Sequence, residues 1–251
     1  MIATRKELFL IIATIVLSAF PAQAENWDFQ INPYIQATTI EGDAGIGVIN
    51  AEDVTVDFDK ILETLDTGAM VSFKGVHRSG WGFIVDYAFM DLKDDIATPR
   101  DGIASSRVRQ GVLHVEGLYT QKINQGNFDY LFGLRWWDND FDLDVTLPQV
   151  EQDIAIRKDE DWVDYFIGAR WTAPINRSWS YSLRGDLGMG GADFTSSFEG
   201  GVLYHFNKKH ALDIKYKATF VDVEDGDQGR VGYFKYDTVS HGPVIGYMYQ
   251  F

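Results

Sequence analysis

The chain predicts an all-β fold: an antiparallel, up-and-down transmembrane β-barrel of about ten strands, with eight and twelve as the alternative counts. Three observations predict it. Apolar and polar residues alternate with a period of two in segment after segment, which sets successive side chains on opposite faces of a strand. The connections between these segments alternate between short and long, as periplasmic turns and external loops do. With that order imposed, aromatic residues collect at one end of the strands, where a membrane interface favours their rings. A soluble β-sandwich also alternates, but it would need the aromatic placement to be accidental.

Residues 1–24 read as a secretory signal peptide: Arg5 and Lys6, an apolar run from Leu8 to Phe20, then Pro21 and the triplet Ala22-Gln23-Ala24, with cleavage expected before Glu25. The apolar run is shorter than the ~20 residues of a spanning helix. Residues 25–251 then form one β-barrel domain. The formal charge of −15 becomes −16 once Arg5, Lys6 and Glu7 leave. A balance this acidic argues against nucleic acid as a partner. The chain has no Cys, which excludes disulfides, thiolate metal sites and a lipid-modified Cys anchor.

The strands follow in order. In 27–38, Trp27, Phe29, Ile31, Ile35 and Ala37 share one face and Asp28, Gln30, Asn32, Gln36 and Thr38 the other. In 81–91 the apolar set is Trp81, Phe83, Val85, Tyr87 and Phe89, with Asp86 opposite. In 128–137 it is Phe128, Tyr130, Phe132, Leu134 and Trp136 against Asp129 and Arg135. The same rhythm places Asp164 and Arg170, Arg184 and Asp186, Glu199, and Asp213, Lys215 and Lys217 opposite apolar faces further on. It fits 69–76 and 108–122 more weakly, which puts Lys74 and Glu116 on the polar side. The last strand, Ile245, Tyr247, Tyr249, Phe251, ends on an aromatic residue. Each segment is near the ~9–11 residues that cross a bilayer when tilted.

The tight connections are HRSG, KINQGN, APINRS and NKKH; the long ones are 39–67, 93–107, 138–161 and 222–229. This order brings Trp27, Trp81, Tyr119, Phe128, Trp171, Trp179, Phe206 and Phe251 to the periplasmic ends as a membrane girdle. One stretch breaks the rhythm: in DFDKILETL, residues 57–65, the apolar positions Phe58, Ile61, Leu62 and Leu65 recur at helical spacing. It predicts a short helix in the first external loop.

The blocks PYIQATTIEGDAGIG, VDFDKILETLDTGAM, DWVDYFIGARW, SWSYSLRGDLGMGGADFT and YDTVSHGPVIGYMYQF resemble a broad family of small proteobacterial outer-membrane β-barrel proteins, most of them without an assigned activity. The likeness runs over most of the chain after residue 24. Where the family commonly has Pro, this chain has Tyr165. The closing strand that ends on Phe251 resembles those that barrel-insertion machinery reads. The resemblance implies the barrel and an outer-membrane location, and carries no chemistry.

Chemistry is sought on the face turned from lipid. Lys74, Asp86, Glu116, Asp129, Arg135, Asp164, Arg170, Arg184, Asp186, Glu199, Asp213 and Lys215 form an expected network of ion pairs in the lumen, since unpaired ions in a poorly solvated interior are strongly disfavoured. A barrel of about ten strands has room mainly for its own side chains, so the expectation is a plugged lumen and a structural or surface-interaction role. A narrow channel for small solutes is the alternative, and a lipid-modifying enzyme the third reading. Enzyme activity is not expected: Ser240 and His241 are adjacent and face opposite sides of a strand, and His77, His114, His205 and His210 have no companion serine or acid at recognisable spacing. Arg184-Gly185-Asp186 spells an adhesion tripeptide, but lies mid-strand with both charges turned inward. No cofactor or metal is expected. The acidic segments 41–66, 138–144 and 222–227 point to outer-membrane lipid and lipopolysaccharide as partners, through divalent cations held by carboxylates.

Overall fold

The computed structural model describes residues 26–46, 49–97, 103–147, 152–230 and 232–251. The expected signal peptide lies outside them. In chain order the elements are β1 (Trp27–Gln36), β2 (Thr39–Ile46), β3 (Ile49–Val56), α1 (Phe58–Thr64), β4 (Leu65–His77), β5 (Trp81–Ala97), β6 (Ile103–Ile123), β7 (Gly126–Leu147), β8 (Gln152–Pro174), β9 (Trp179–Gly190), β10 (Phe194–His205), β11 (His210–Asp225) and β12 (Phe234–Gln250). β1 pairs with β4, and each strand from β4 to β12 pairs with the next. β12 returns to β1, so ten antiparallel strands close a barrel among the described residues.

β2 and β3 add to this ring. β1 and β2 are two parts of one line: both lie on β12 in an unbroken register, from Gln30↔Gln250 through Gln36↔Val244 to Thr39↔His241 and Ile46↔Phe234. At the junction the Ala37 N–H donates to the Pro243 carbonyl, 2.9 Å. Gly242 sits beside it at φ +157°, where an added Cβ would stand 1.8 Å from the Ala37 carbonyl oxygen. Only glycine lets the two backbones approach so closely. β2 then turns back as β3, and α1 leads into β4.

The period of two holds around the barrel. Even positions of β1, β4, β5, β6, β8, β9 and β12 face the lumen, and odd positions of β7, β10 and β11, as the lumen-lining Asn32, Ser72, Asp86, Glu116, Arg170, Ser182 and Met248, and Asp129, Glu199 and Asp213, mark. The opposite face is apolar and exposed, with Ile35, Phe132, Ile167, Leu187, Phe198 and Ile245 each at least 49% accessible. The aromatic residues beside the tight turns pack along one rim: Trp81 on Tyr119 at 5.2 Å, Trp171 on Tyr181 at 5.0 Å, Trp179 on Tyr204 at 4.8 Å and Phe206 on Tyr204 at 5.1 Å between ring centres. Phe251 joins β12 to β1 there. It stacks on Phe29 at 5.9 Å, and its N–H donates to the Phe29 carbonyl at 3.0 Å.

The helix expected over 57–65 is α1, which buries Ile61 and is tied to β5 by Lys60–Asp94 at 2.8 Å. The long external loops expected at 39–67, 93–107 and 138–161 are corrected. The first holds the β2–β3 hairpin and α1. The others are strand over most of their length, because β6, β7 and β8 run 21, 22 and 23 residues. That is about twice the ~10 residues needed to cross a bilayer, and leaves roughly 40 Å of strand beyond it at ~3.3 Å per residue. The acidic residues that suggested loops alternate too: Asp138, Asp140, Asp142 and Asp144 take outward positions of β7, next to Arg109 of β6 and Arg157 of β8.

Candidate functional site in the barrel lumen

The lumen is built in layers. Nearest the tight turns is a cavity of about 510 Å³. It begins among the turn residues Gly126, Asn127 and Asn207 to His210, and reaches up to Tyr34, Asp86, His114, Glu116 and Arg184. Its wall carries charges of both signs, along with the apolar Val76 and Ile84, behind which Leu118 and Leu131 are buried in one cluster with Ile84.

Three sets of charges line or cap it. Asp129 takes Lys74 at 3.3 Å, Arg170 Nε at 2.9 Å and the Thr120 hydroxyl at 2.6 Å. Lys215 pairs with Glu199 at 2.8 Å and Asp213 at 3.5 Å, while Lys217 is 3.9 Å from Glu199. The third set spans the lumen between β6, β7 and β9. Arg135 donates to Asp186 at 2.6 Å and to His114 at 3.1 Å; Arg184 reaches Glu116 at 3.0 Å and Asp186 at 3.1 Å. Arg135, at 0% accessibility, also lies 5.2 Å from the centre of the Phe166 ring. Placing an ion there is tolerable only because each charge meets a partner.

All twelve residues expected on the polar face lie on the lumen side. Two of them are corrected as members of an ion-pair network. Asp86 accepts from the Tyr34 hydroxyl at 2.9 Å, and Asp164 from the backbone N–H of Ala192 at 2.9 Å. The Tyr34 hydroxyl, reaching across from β1, and the turn amide of Ala192 stand where a cation would be needed, and Asp164 Oδ2 is left without a hydrogen-bond partner among the described residues.

Above Arg135 the lumen changes character. Trp137, Trp162, Val221, Val223, Phe234 and Tyr236 form a buried cluster, with Val112 and Phe141 against it. Trp137 stacks on Trp162 at 5.5 Å, and Phe234 closes on Trp162 at 6.2 Å and Phe141 at 6.0 Å. Sequence reasoning missed this cluster. Its trace is Trp136-Trp137: two adjacent tryptophans cannot both face lipid.

The histidines are also placed by strand pairing. His205 meets the Ser180 hydroxyl at 3.1 Å across β9–β10, a pair that no spacing in the sequence announced. His241 faces outward, 2.6 Å from the Tyr216 hydroxyl, on the face opposite Ser240. Among the described residues, no three His, Asp or Glu side chains group to hold a metal ion. Acids of the external segments are taken instead by the chain's own cations: Asp91 by Arg107, Asp140 by Arg109 at 3.0 Å, Asp43 by Lys235 at 3.1 Å.

No family model matches the chain, and no curated protein matches it. Among solved structures it is similar to the translocator domain of the autotransporter NalP from Neisseria meningitidis, with a TM-score of 0.51 and 10% identity over 98% of this chain and 96% of that one. It also matches Ail, the attachment invasion locus protein of Yersinia pestis (TM-score 0.41, 10% identity, 90% and 99% covered), and an outer-membrane channel from Pseudomonas putida F1 (TM-score 0.43, 10% identity, 93% and 98% covered). The fold is that of an outer-membrane β-barrel.

Proposed function

We propose that the chain is an integral outer-membrane protein that does not conduct solutes and serves the envelope as a structural or surface-interaction barrel. The observation that carries this reading is the stacking of two closures: the ion-paired layer around Arg135 and, above it, the aromatic cluster of Trp137, Trp162 and Phe234. The tall wall of β6 to β8 then offers its surface outside the membrane. The reading includes export by a cleaved signal peptide, insertion through the terminal strand at Ile245–Phe251, and no enzymatic activity. The test is single-channel conductance of the refolded mature protein in planar bilayers. Silence is expected of the native protein and of Arg184→Ala, because the aromatic cluster stays in place.

The cavity of about 510 Å³ favours a second reading, a narrow channel whose constriction is the Arg135 layer. Steady conductance that shifts in Arg135→Ala and Arg184→Ala would replace the first reading with it. We further propose contact with lipopolysaccharide, bridged by divalent cations at outward carboxylates above the apolar band. Chelation of calcium and magnesium is expected to lower the thermal midpoint in lipopolysaccharide bilayers and leave it unchanged in phospholipid; equal midpoints in both would sink the idea.

A further inference from the structure

The barrel wall has a window between β1 and β4. Their ladder runs from Trp27↔His77 to Pro33↔Val71 and stops. Pro33 has no N–H to carry it further. Above it, β1 continues into β2 on β12, β2 meets β3 only from Ile40↔Val56, and residues 65–70 of β4 pair with β5 alone. Among the described residues, the facing edges of 34–39 and 65–70 therefore have no strand partner, and α1 lies at the top of the gap. Its level is set by β5: Ala69 is the partner of Phe89, and Thr67 of Asp91, where the outward apolar series ends. The window thus opens in the outer half of the apolar band, with Ile35 beside it 71% exposed.

Unpaired backbone is not tolerated against lipid unless it borders a wet or polar space, and such a space lies behind this window. Tyr34 stands there, lines the cavity, and reaches over β4 to bond Asp86 at 2.9 Å, with Lys215 Nζ 6.0 Å from its ring. A volume of about 510 Å³ is that of a small-ligand pocket. It can hold a lipid headgroup but not two acyl chains, and the wall next to the window offers both a cation and carboxylates.

We propose that the window is a lateral portal that admits the zwitterionic headgroup of a glycerophospholipid into the cavity while its acyl chains stay in the bilayer, with Tyr34 as the latch. Phosphate is matched by Lys215, and the ammonium by Asp86. This rests on the barrel spanning a membrane, and goes beyond the proposed envelope role.

The chain has no native Cys, so single labels are clean. Met70→Cys sits on the lumen side of the window's edge, Ser182→Cys on the lumen side of β9, and Ile167→Cys on the outward face of β8. Each is labelled with bimane and refolded in bilayers containing phosphatidylcholine with a nitroxide on its acyl chain. Quenching at Ile167 and Met70 but not at Ser182 is expected, and Tyr34→Phe should increase it at Met70. Quenching at Met70 no greater than at Ser182 would overturn the portal, and no effect of Tyr34→Phe would overturn the latch. Replacing the probe by nitroxide phosphatidylglycerol should weaken the Met70 signal; equal quenching would overturn the headgroup assignment. An unquenched Ile167 would instead show that the barrel is not in the membrane.

Discussion

Arg135 is the residue whose loss should cost most. It is fully buried, and it holds Asp186 and His114. Removing one partner of a buried pair leaves the other charge uncompensated, at about 3–5 kcal/mol. Arg184 still reaches Asp186, so Arg135→Ala is expected at the lower end of that range when urea unfolding is followed in bilayers. A smaller charge effect belongs to Asp222, which lies above Phe220, the last outward aromatic of β11, and opposite Asp237. Burial first, then Asp237 and Asp193, push its carboxyl above the ordinary range. The folded state therefore binds this proton more tightly than the unfolded chain, and stability falls as pH rises from the ordinary carboxylate value through the raised one. Above that window the penalty is constant. Asp222→Asn should flatten this slope and stabilise the barrel at neutral pH by about 0.2–1 kcal/mol, the scale of a like-charged cross-strand pair; thermal midpoints at pH 4 and pH 7 measure it.

At the scale of elements, the upper β7–β8 hairpin and the β1–β2 junction make opposite predictions. Replacing residues 140–159 by a short turn removes strand that stands above the bilayer while keeping Trp137 and Asn139, so the barrel should still fold and show its heat-dependent shift on gels. Gly242→Ala should prevent folding, because a Cβ meets the Ala37 carbonyl at 1.8 Å where nothing flexible can yield. These elements also divide what the sequence disclosed from what it hid. The alternation of Phe128 to Trp136 and Trp81 to Phe89 was legible because lipid demands one apolar face. In 138–144 the same alternation continues, but with Asp outward, so composition spoke for loop while pairing with β6 and β8 and the ion pairs to Arg109 and Arg157 hold a strand. The β2–β3 hairpin was hidden for another reason: Thr39 to Ile46 has two glycines and little greasy periodicity, and its place is fixed by register on β12, which lies two hundred residues away.

For the molecule as a whole, the candidate site was half legible. Period two put Asp129, Arg170, Glu199 and Lys215 on the lumen face, but which acid meets which cation depends on how strands stagger around the ring, and that is not written locally. The Trp137–Trp162 stack and the Ser180–His205 contact are products of closure in the same sense. Closure itself carries a consequence for biogenesis. β12 holds both β1 and β2 through one continuous ladder, so β1 and β2, which pair with β4 and β3 on one edge, gain a partner on the other edge only when the last strand has arrived. Such long-range pairing is slow, since the entropy of the whole intervening loop must be lost before any contact is gained. A nascent chain stopped before Phe234 would remain an open sheet with two raw edges, the form most prone to pair with the wrong neighbour. Completion is thus a single late event, and a cell that surveys unsealed edges can tell a finished copy from a broken one.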